Sequence, residues 1–316
     1  MNASPLGVYK MHRIRLWLAT ILVGSLTCAV PGQENQRKAE PAGPPQPPPG
    51  VKALRDLEYV PHGHERQKLD LYLPEQPAGA LPLVLWIHAG GATSGSKEQT
   101  RALYLTAQGY AVASINHRLL QHAIFPAQLH DAKAAIRWLR AHAKAYRLDP
   151  DRIGVWGASS GGGLAALLGT TGGVKELEGK EGAHLDQSSR VQAVCDWFGP
   201  SDVIALAATS PAFNSAMEQA LGGPIARYKE KALQASPVTH VSKESPPFLI
   251  MHGDKDRMVP VAQSQLLADA LKRAGVEVTL KILPGARHGG PEFQTDEMRQ
   301  LIRDFFDKHL KKAPPK

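Results

Sequence analysis

The sequence predicts one α/β domain: a mostly parallel, twisted sheet with helices on both faces. Two observations predict it. From Val51 onward, strand-like apolar runs alternate with amphipathic helical segments, the pattern of strands joined by crossover helices. The inner runs are apolar without interruption, as in strands covered on both faces. A chain of 316 residues, 43% hydrophobic and 21% charged, is also long enough to bury one large core.

Taken in order, "DLEYV" and "KLDLYL" alternate apolar and polar residues and open the domain as an antiparallel pair. "PLVLWIH" (82–88) and "YAVASINH" (110–117) are the first buried strands, and between them 98–108 reads as a helix stopped by Gly109. Pro126 opens the next helix, which sets Leu129, Ala132, Ile136, Leu139 and Ala143 on one face. "RIGVWG" is a strand that turns at once into the helix "GGGLAALLGTT". "VQAVCDWF", "PFLIMHG" and "VTLKILP" complete the strands, with a helix over 261–275 between the last two. The stretch 201–247 interrupts the alternation with weaker helical patterning around 212–221 and 227–234, and is expected to form a small helical cap insertion over the sheet.

The region before the domain has a different character. Lys10, His12, Arg13 and Arg15 precede the apolar run 16–26 and then small residues, which is the anatomy of a secretory signal peptide over 1–29. The run is shorter than the ~20 residues that cross a bilayer, so export to the outside or the periplasm is expected, without stable membrane insertion. Residues 30–50, rich in proline, form a spacer that cannot pack, and the domain occupies 51–316. The net charge of +8 falls to about +5 without Lys10, Arg13 and Arg15. The remaining basic residues are scattered among acids, which speaks against a nucleic-acid partner. Only Cys28 and Cys195 are present. Once the signal leaves, no internal disulfide is possible, and Cys195 sits in an apolar run as a small buried residue.

The stretch "GVWGASSGGGLAALL" (154–168) carries the chemistry. A serine on a tight turn between strand and helix has its side chain exposed, provided the residues two before and two after it are small. Gly157 and Gly161 meet this for Ser159; Ala158 and Gly162 meet it less well for Ser160. Ser159 is therefore the candidate nucleophile, and Ser160, directly after it, supplies a backbone N–H to an oxyanion hole. A phosphate-binding glycine loop is the competing reading, but the lysine and hydroxyl residue of a P-loop are missing.

A serine needs a base and an acid that orients the base. On such a sheet they follow in the order serine, acid, histidine. "HGDKDRMVP" offers Asp254 and Asp256, and "GARHGG" offers His288, each in a loop after a strand at the edge where open α/β sheets place their ligands. "HAGG" (88–91) matches an oxyanion loop of the HGGG type, with Ala89 in place of the first glycine. Ala89 and Gly90 are the candidate N–H donors there, and His88 is expected to anchor the loop.

These motifs, with "FPAQLHDAKAAIRWLRAHA", "GASSGG" and "VQAVCDWFGPSD", resemble the α/β-hydrolase serine esterases from about Val51 to the end. The likeness is to secreted carbohydrate esterases of the acetyl xylan and feruloyl type, bordering on the hormone-sensitive-lipase-like group. The resemblance implies Asp256 as the triad acid, with Asp254 in the turn. It implies an acyl-serine mechanism without metal or organic cofactor, acting on small-molecule or polysaccharide esters. His117 departs from the resemblance, since related enzymes tend to carry tyrosine in an N-Y-R-L stretch. Trp197 and Phe198 are candidates to stack on a sugar or an aromatic acyl group, against the alternative of core aromatics. A serine peptidase and a non-catalytic binding protein on the same fold stand as alternatives.

Overall fold

The computed structural model describes residues 43–209 and 211–311, so the expected signal peptide and most of the spacer lie outside the described residues. Eight strands form one sheet in the order β1-β2-β4-β3-β5-β6-β7-β8: β1 (Val51–Glu58), β2 (Lys68–Pro74), β3 (Leu81–Ile87), β4 (Ala111–Ile115), β5 (Leu148–Ala158), β6 (Ala193–Trp197), β7 (Phe248–Gly253) and β8 (Val278–Leu283). The opening hairpin is antiparallel, as is its join to β4, and every later pairing is parallel. This is the α/β-hydrolase fold.

Alternation along β3 shows why two helical layers are needed. Leu83, Leu85 and Ile87 point into one core, with α1 (Ala127–Ala141), α2 (Ser160–Thr170) and α6 (Ala262–Arg273); Val84 and Trp86 point into the other. Both sets are buried, so neither face of the strand meets water. The second core is closed by α7 (Asp296–Leu310), which the sequence reading did not assign. Its apolar residues Met298, Ile302, Phe305, Phe306 and Leu310 recur at helical spacing and are buried against the sheet. Thr295 caps it by accepting the Met298 N–H at 3.3 Å.

The helix expected over 98–108 is instead two short 3₁₀ turns, Lys97–Gln99 and Leu103–Gln108, separated by extended backbone at Thr100. Long-range polar contacts override the local pattern. The buried Lys97 ammonium is held by Asp70 at 2.8 Å and Glu98 at 2.9 Å, while its backbone N–H donates to Asn116 Oδ1 at 2.8 Å. Gly109 does stop the second turn, in the left-handed region at φ +81°.

Between β6 and β7, in the stretch expected to form a cap, lie α3 (Val203–Ala207), α4 (Pro211–Leu221) and α5 (Lys229–Gln234). Asp202 caps α3 by accepting the Ala205 N–H at 2.9 Å. Phe125 ties α4 to the segment before α1 by donating its N–H to the Ala220 carbonyl at 2.9 Å.

Candidate active site

Because β3 and β5 to β8 run in parallel, their C-terminal ends share one edge, and the loops leaving that edge carry the candidate residues. Ser159 sits between β5 and α2 with φ +55° and ψ −123°, a region where a non-glycine residue is strained. The flanking glycines make that turn possible. A Cβ on Gly157 would run into the Gly161 carbonyl, and one on Gly161 into the carbonyls of Ile87 and His88. Strand and helix therefore approach backbone to backbone, leaving the half-buried Ser159 hydroxyl at the edge, facing the cavity.

The Ser159 hydroxyl donates to His288 Nε2 at 2.8 Å, and His288 Nδ1–H donates to Asp256 Oδ2 at 2.6 Å. A carboxylate only accepts, so Nδ1 carries the proton and Nε2 is free to receive one from the serine. Gly253 lets the two partner loops meet, since a Cβ there would strike the Ala286 carbonyl. The two aspartates of "HGDKD" separate clearly. Asp254 Oδ1 accepts the Gly285 N–H at 2.7 Å and holds a turn. The Asp256 carboxylate is buried and gathers donors on both oxygens: Oδ1 takes the N–H groups of Met258 and Val259 at 2.8 and 3.0 Å. Burial pushes the Asp256 carboxyl up, but hydrogen bonds from His252 and His288 outweigh it and hold the group well below the usual carboxylate range.

His252, which the sequence reading passed over, belongs to this network. Its Nε2–H faces Asp256 Oδ2 at 3.1 Å and the Val259 carbonyl at 2.9 Å, while Nδ1 accepts from the Ser264 hydroxyl at 2.6 Å. A histidine on the last turn of an otherwise apolar buried strand was the available signal.

The loop expected to supply oxyanion donors turns beside Ser159. Gly90, Gly91 and Ala92 adopt positive φ, at +125°, +62° and +58°, while Ala89 does not. Alanine in place of the first glycine is therefore unstrained. Gly91 and Ala92, rather than Ala89 and Gly90, line the cavity beside Ser159 and Ser160. Ala92 N–H donates to Ser160 Oγ at 3.2 Å, clasping the loop to the elbow. Ser160 opens α2, so its backbone N–H is one of the helix's first donors with no partner in the helix.

His88 anchors this loop. Its Nδ1–H donates to the Ala89 carbonyl at 2.8 Å, and its Nε2 accepts from Arg66 at 3.3 Å. Burial, with neighbouring His117 and Arg66, pushes His88 down to about 3, so the ring is neutral. Arg66 also donates to the carbonyls of Gly95 and His117, both at 2.9 Å, tying three loops together. No sequence pattern marked Arg66, because its partners are remote and half of them are backbone carbonyls.

Trp197 and Phe198 do not take the substrate-stacking place expected of them, for neither lines the cavity. Alternation along β6 turns Trp197 to the face covered by α7, where it packs edge-on against Trp156 at 4.9 Å. Phe198 backs the triad from behind, with its ring 4.6 Å from that of His288. The cavity measures about 200 Å³ and is walled chiefly by apolar residues of α2, the cap and the segment before α1.

His64, Glu65 and His122 bring metal-ligating atoms within 4.8 Å of one another. Both Nδ1 atoms already accept backbone N–H groups, from Arg66 at 3.1 Å and Leu119 at 3.2 Å. In the neutral ring that places the hydrogen on each Nε2 and removes it as a ligand. The two histidine rings instead pack on each other, with centroids 4.5 Å apart.

Fold and site together define an α/β-hydrolase carrying the side-chain set of a serine esterase. The family model described as BD-FAE matches residues 69–271, and the chain belongs to that family. It is 32% identical to Esterase LipC of Mycobacterium tuberculosis over 265 residues, 78% of this chain and 64% of LipC. The chain thus spans less than two thirds of the length of that curated relative. A solved structure described as a truncated form of a carbohydrate esterase from gut microbiota superposes with TM-score 0.78 at 33% identity, covering 84% of this chain and 99% of the other. An acetyl ester-xyloside bifunctional hydrolase from Caldicellulosiruptor lactoaceticus superposes with TM-score 0.65 at 30% identity, covering 76% and 87%.

Proposed function

We propose that the protein is a carboxylic-ester hydrolase working through an acyl-serine at Ser159, on short-chain acyl or feruloyl esters of plant polysaccharide. The observation that carries this reading is the unbroken hydrogen-bond chain Ser159, His288, Asp256 beside a small cavity. His288 takes the hydroxyl proton as Ser159 Oγ bonds to the ester carbonyl carbon. Asp256, kept ionised by its donors, stabilises the resulting imidazolium. The oxyanion is met by the N–H of Ser160 and of the Gly91 segment. The carbon–oxygen bond to the alcohol breaks, and His288 returns the proton to the departing oxygen. Water then attacks the acyl-serine, gives its proton to His288, and releases the acid while Ser159 regains its hydrogen.

The small apolar cavity supports a short acyl group, and the carbohydrate esterase and acetyl ester-xyloside hydrolase among its structural neighbours support a sugar ester. The basic and apolar pattern of 1–29 supports export to the periplasm or beyond.

The test is hydrolysis of p-nitrophenyl acetate, butyrate and octanoate and of methyl ferulate by the wild type, Ser159→Ala and Ser160→Ala. Ser159→Ala is expected to lose at least about 10³-fold in kcat. Ser160→Ala keeps its backbone N–H and is expected to stay within about tenfold of wild type. Equal rates for the wild type and Ser159→Ala would remove the serine from the mechanism.

A further inference from the structure

Two buried polar side chains in the cavity hold their donors inward and their acceptors free. The Arg118 carbonyl accepts both from His117 Nδ1–H at 3.0 Å and from Gln128 Nε2–H at 3.1 Å, and the Gln128 amide also donates to the Ala123 carbonyl at 2.7 Å. Carbonyls only accept, so these contacts fix the histidine tautomer and the amide orientation. His117 Nε2 and Gln128 Oε1 are left as lone-pair acceptors. The His117 ring is further held flat against His88, with centroids 4.7 Å apart and planes 10° from parallel.

His117 is 3% and Gln128 5% exposed, and both line the cavity that holds Ser159. Neither free acceptor has a hydrogen-bond partner among the described residues, and neither is among the side-chain atoms sealed from solvent, so both open on the cavity. The walls around them are apolar: Leu120, Phe125, Leu164, Phe213 and Met217. A purely hydrocarbon group seated here leaves two buried acceptors unpaired, whereas a hydroxyl satisfies them.

We propose that His117 and Gln128 are specificity residues that select esters bearing a hydroxyl on the group seated in this cavity. The inference rests on Ser159 as nucleophile only for its readout by turnover. Burial holds His117 in the neutral form that has a free acceptor.

The experiment compares kcat/KM for p-nitrophenyl 3-phenylpropanoate and its ring-hydroxylated analogues, and for cyclohexyl acetate and the monoacetates of cyclohexanediols. These place the hydroxyl on the acyl or the alcohol side. The readout is the ratio of hydroxylated to parent ester, in the wild type, His117→Phe and Gln128→Met. The wild type is expected to favour a hydroxylated member of one series by about tenfold, and each substitution to cut that preference about fivefold. A wild type with no preference in either series, or variants that lower both members equally, would overturn the proposal. Calorimetric binding of 3-(4-hydroxyphenyl)propanol and 3-phenylpropanol to Ser159→Ala reads the same preference without turnover. Absence of turnover in the wild type with a selective binding signal would therefore count against the nucleophile and for these two residues.

Discussion

The two sides of Ser159 use histidine in opposite ways. On one side His252 and His288 converge on the same oxygen of a buried carboxylate, Asp256 Oδ2, at 3.1 and 2.6 Å. On the other, His88 and His117 are stacked face to face beside the Arg66 guanidinium, with no carboxylate between them. The imidazoles are chemically identical, so the neighbour decides. In the proposed mechanism the anion at hydrogen-bond distance from His288 stabilises its charged form; burial, with His117 and Arg66 beside it, pushes His88 down to about 3. In that mechanism His288 moves the proton while His252 only holds Asp256, and the second pair braces the loop after β3.

The largest effect is expected where the comparison is broken outright. Asp256→Asn removes the anion shared by His252 and His288 and presents an amide that can turn a donor toward His288. Steady-state kinetics should show kcat down about 10⁴-fold near neutral pH. A loss under tenfold would mean that the carboxylate does not set the tautomer of His288.

On the other side, Arg66→Met removes the cation but keeps a side chain of similar reach. His88 Nε2 and the carbonyls of Gly95 and His117 lose their donor, and the oxyanion loop loosens. We expect kcat to fall about 100-fold with KM within about threefold, because the loop's N–H groups act on charge that develops in the transition state. A rise in KM with unchanged kcat would place Arg66 in substrate binding instead.

The smallest effect sharpens the role of the surrounding donors. Asp196, at the end of β6, is fully buried and accepts one backbone N–H, from Gly199 at 2.9 Å. Burial raises its carboxyl to about 6, the reverse of Asp256. The folded protein then holds this proton more tightly than the unfolded chain does. Its contribution to stability is fully present below the ordinary carboxyl value near 3.8 and is lost as pH rises through about 6. Urea unfolding between pH 4 and pH 7 should show Asp196→Asn gaining about 2 kcal/mol relative to wild type across that range. A constant difference at all pH values would show that Asp196 does not titrate there.

Much of this was legible in the sequence because it is local. Alternation gave the antiparallel opening pair, continuous apolar runs gave the inner strands, and the glycine spacing around Ser159 gave the elbow, since each depends on residues within a few positions of one another. The order of Ser159, Asp256 and His288 along the chain could be read for the same reason, each lying just after a strand. What only the tertiary structure decided is where side chains point once distant segments meet. Packing turned Trp197 into the core, and the contacts of Lys97 with Asp70 and Asn116 accompany two short turns where one helix over 98–108 was expected. Donors from His252, Met258 and Val259 made Asp256 rather than Asp254 the buried carboxylate, and Arg66 reached across 22 positions to His88. The Arg118 carbonyl left His117 and Gln128 with free acceptors. A sequence states which donors and acceptors exist, but burial makes each find a partner, and only the folded chain determines which partners come within reach.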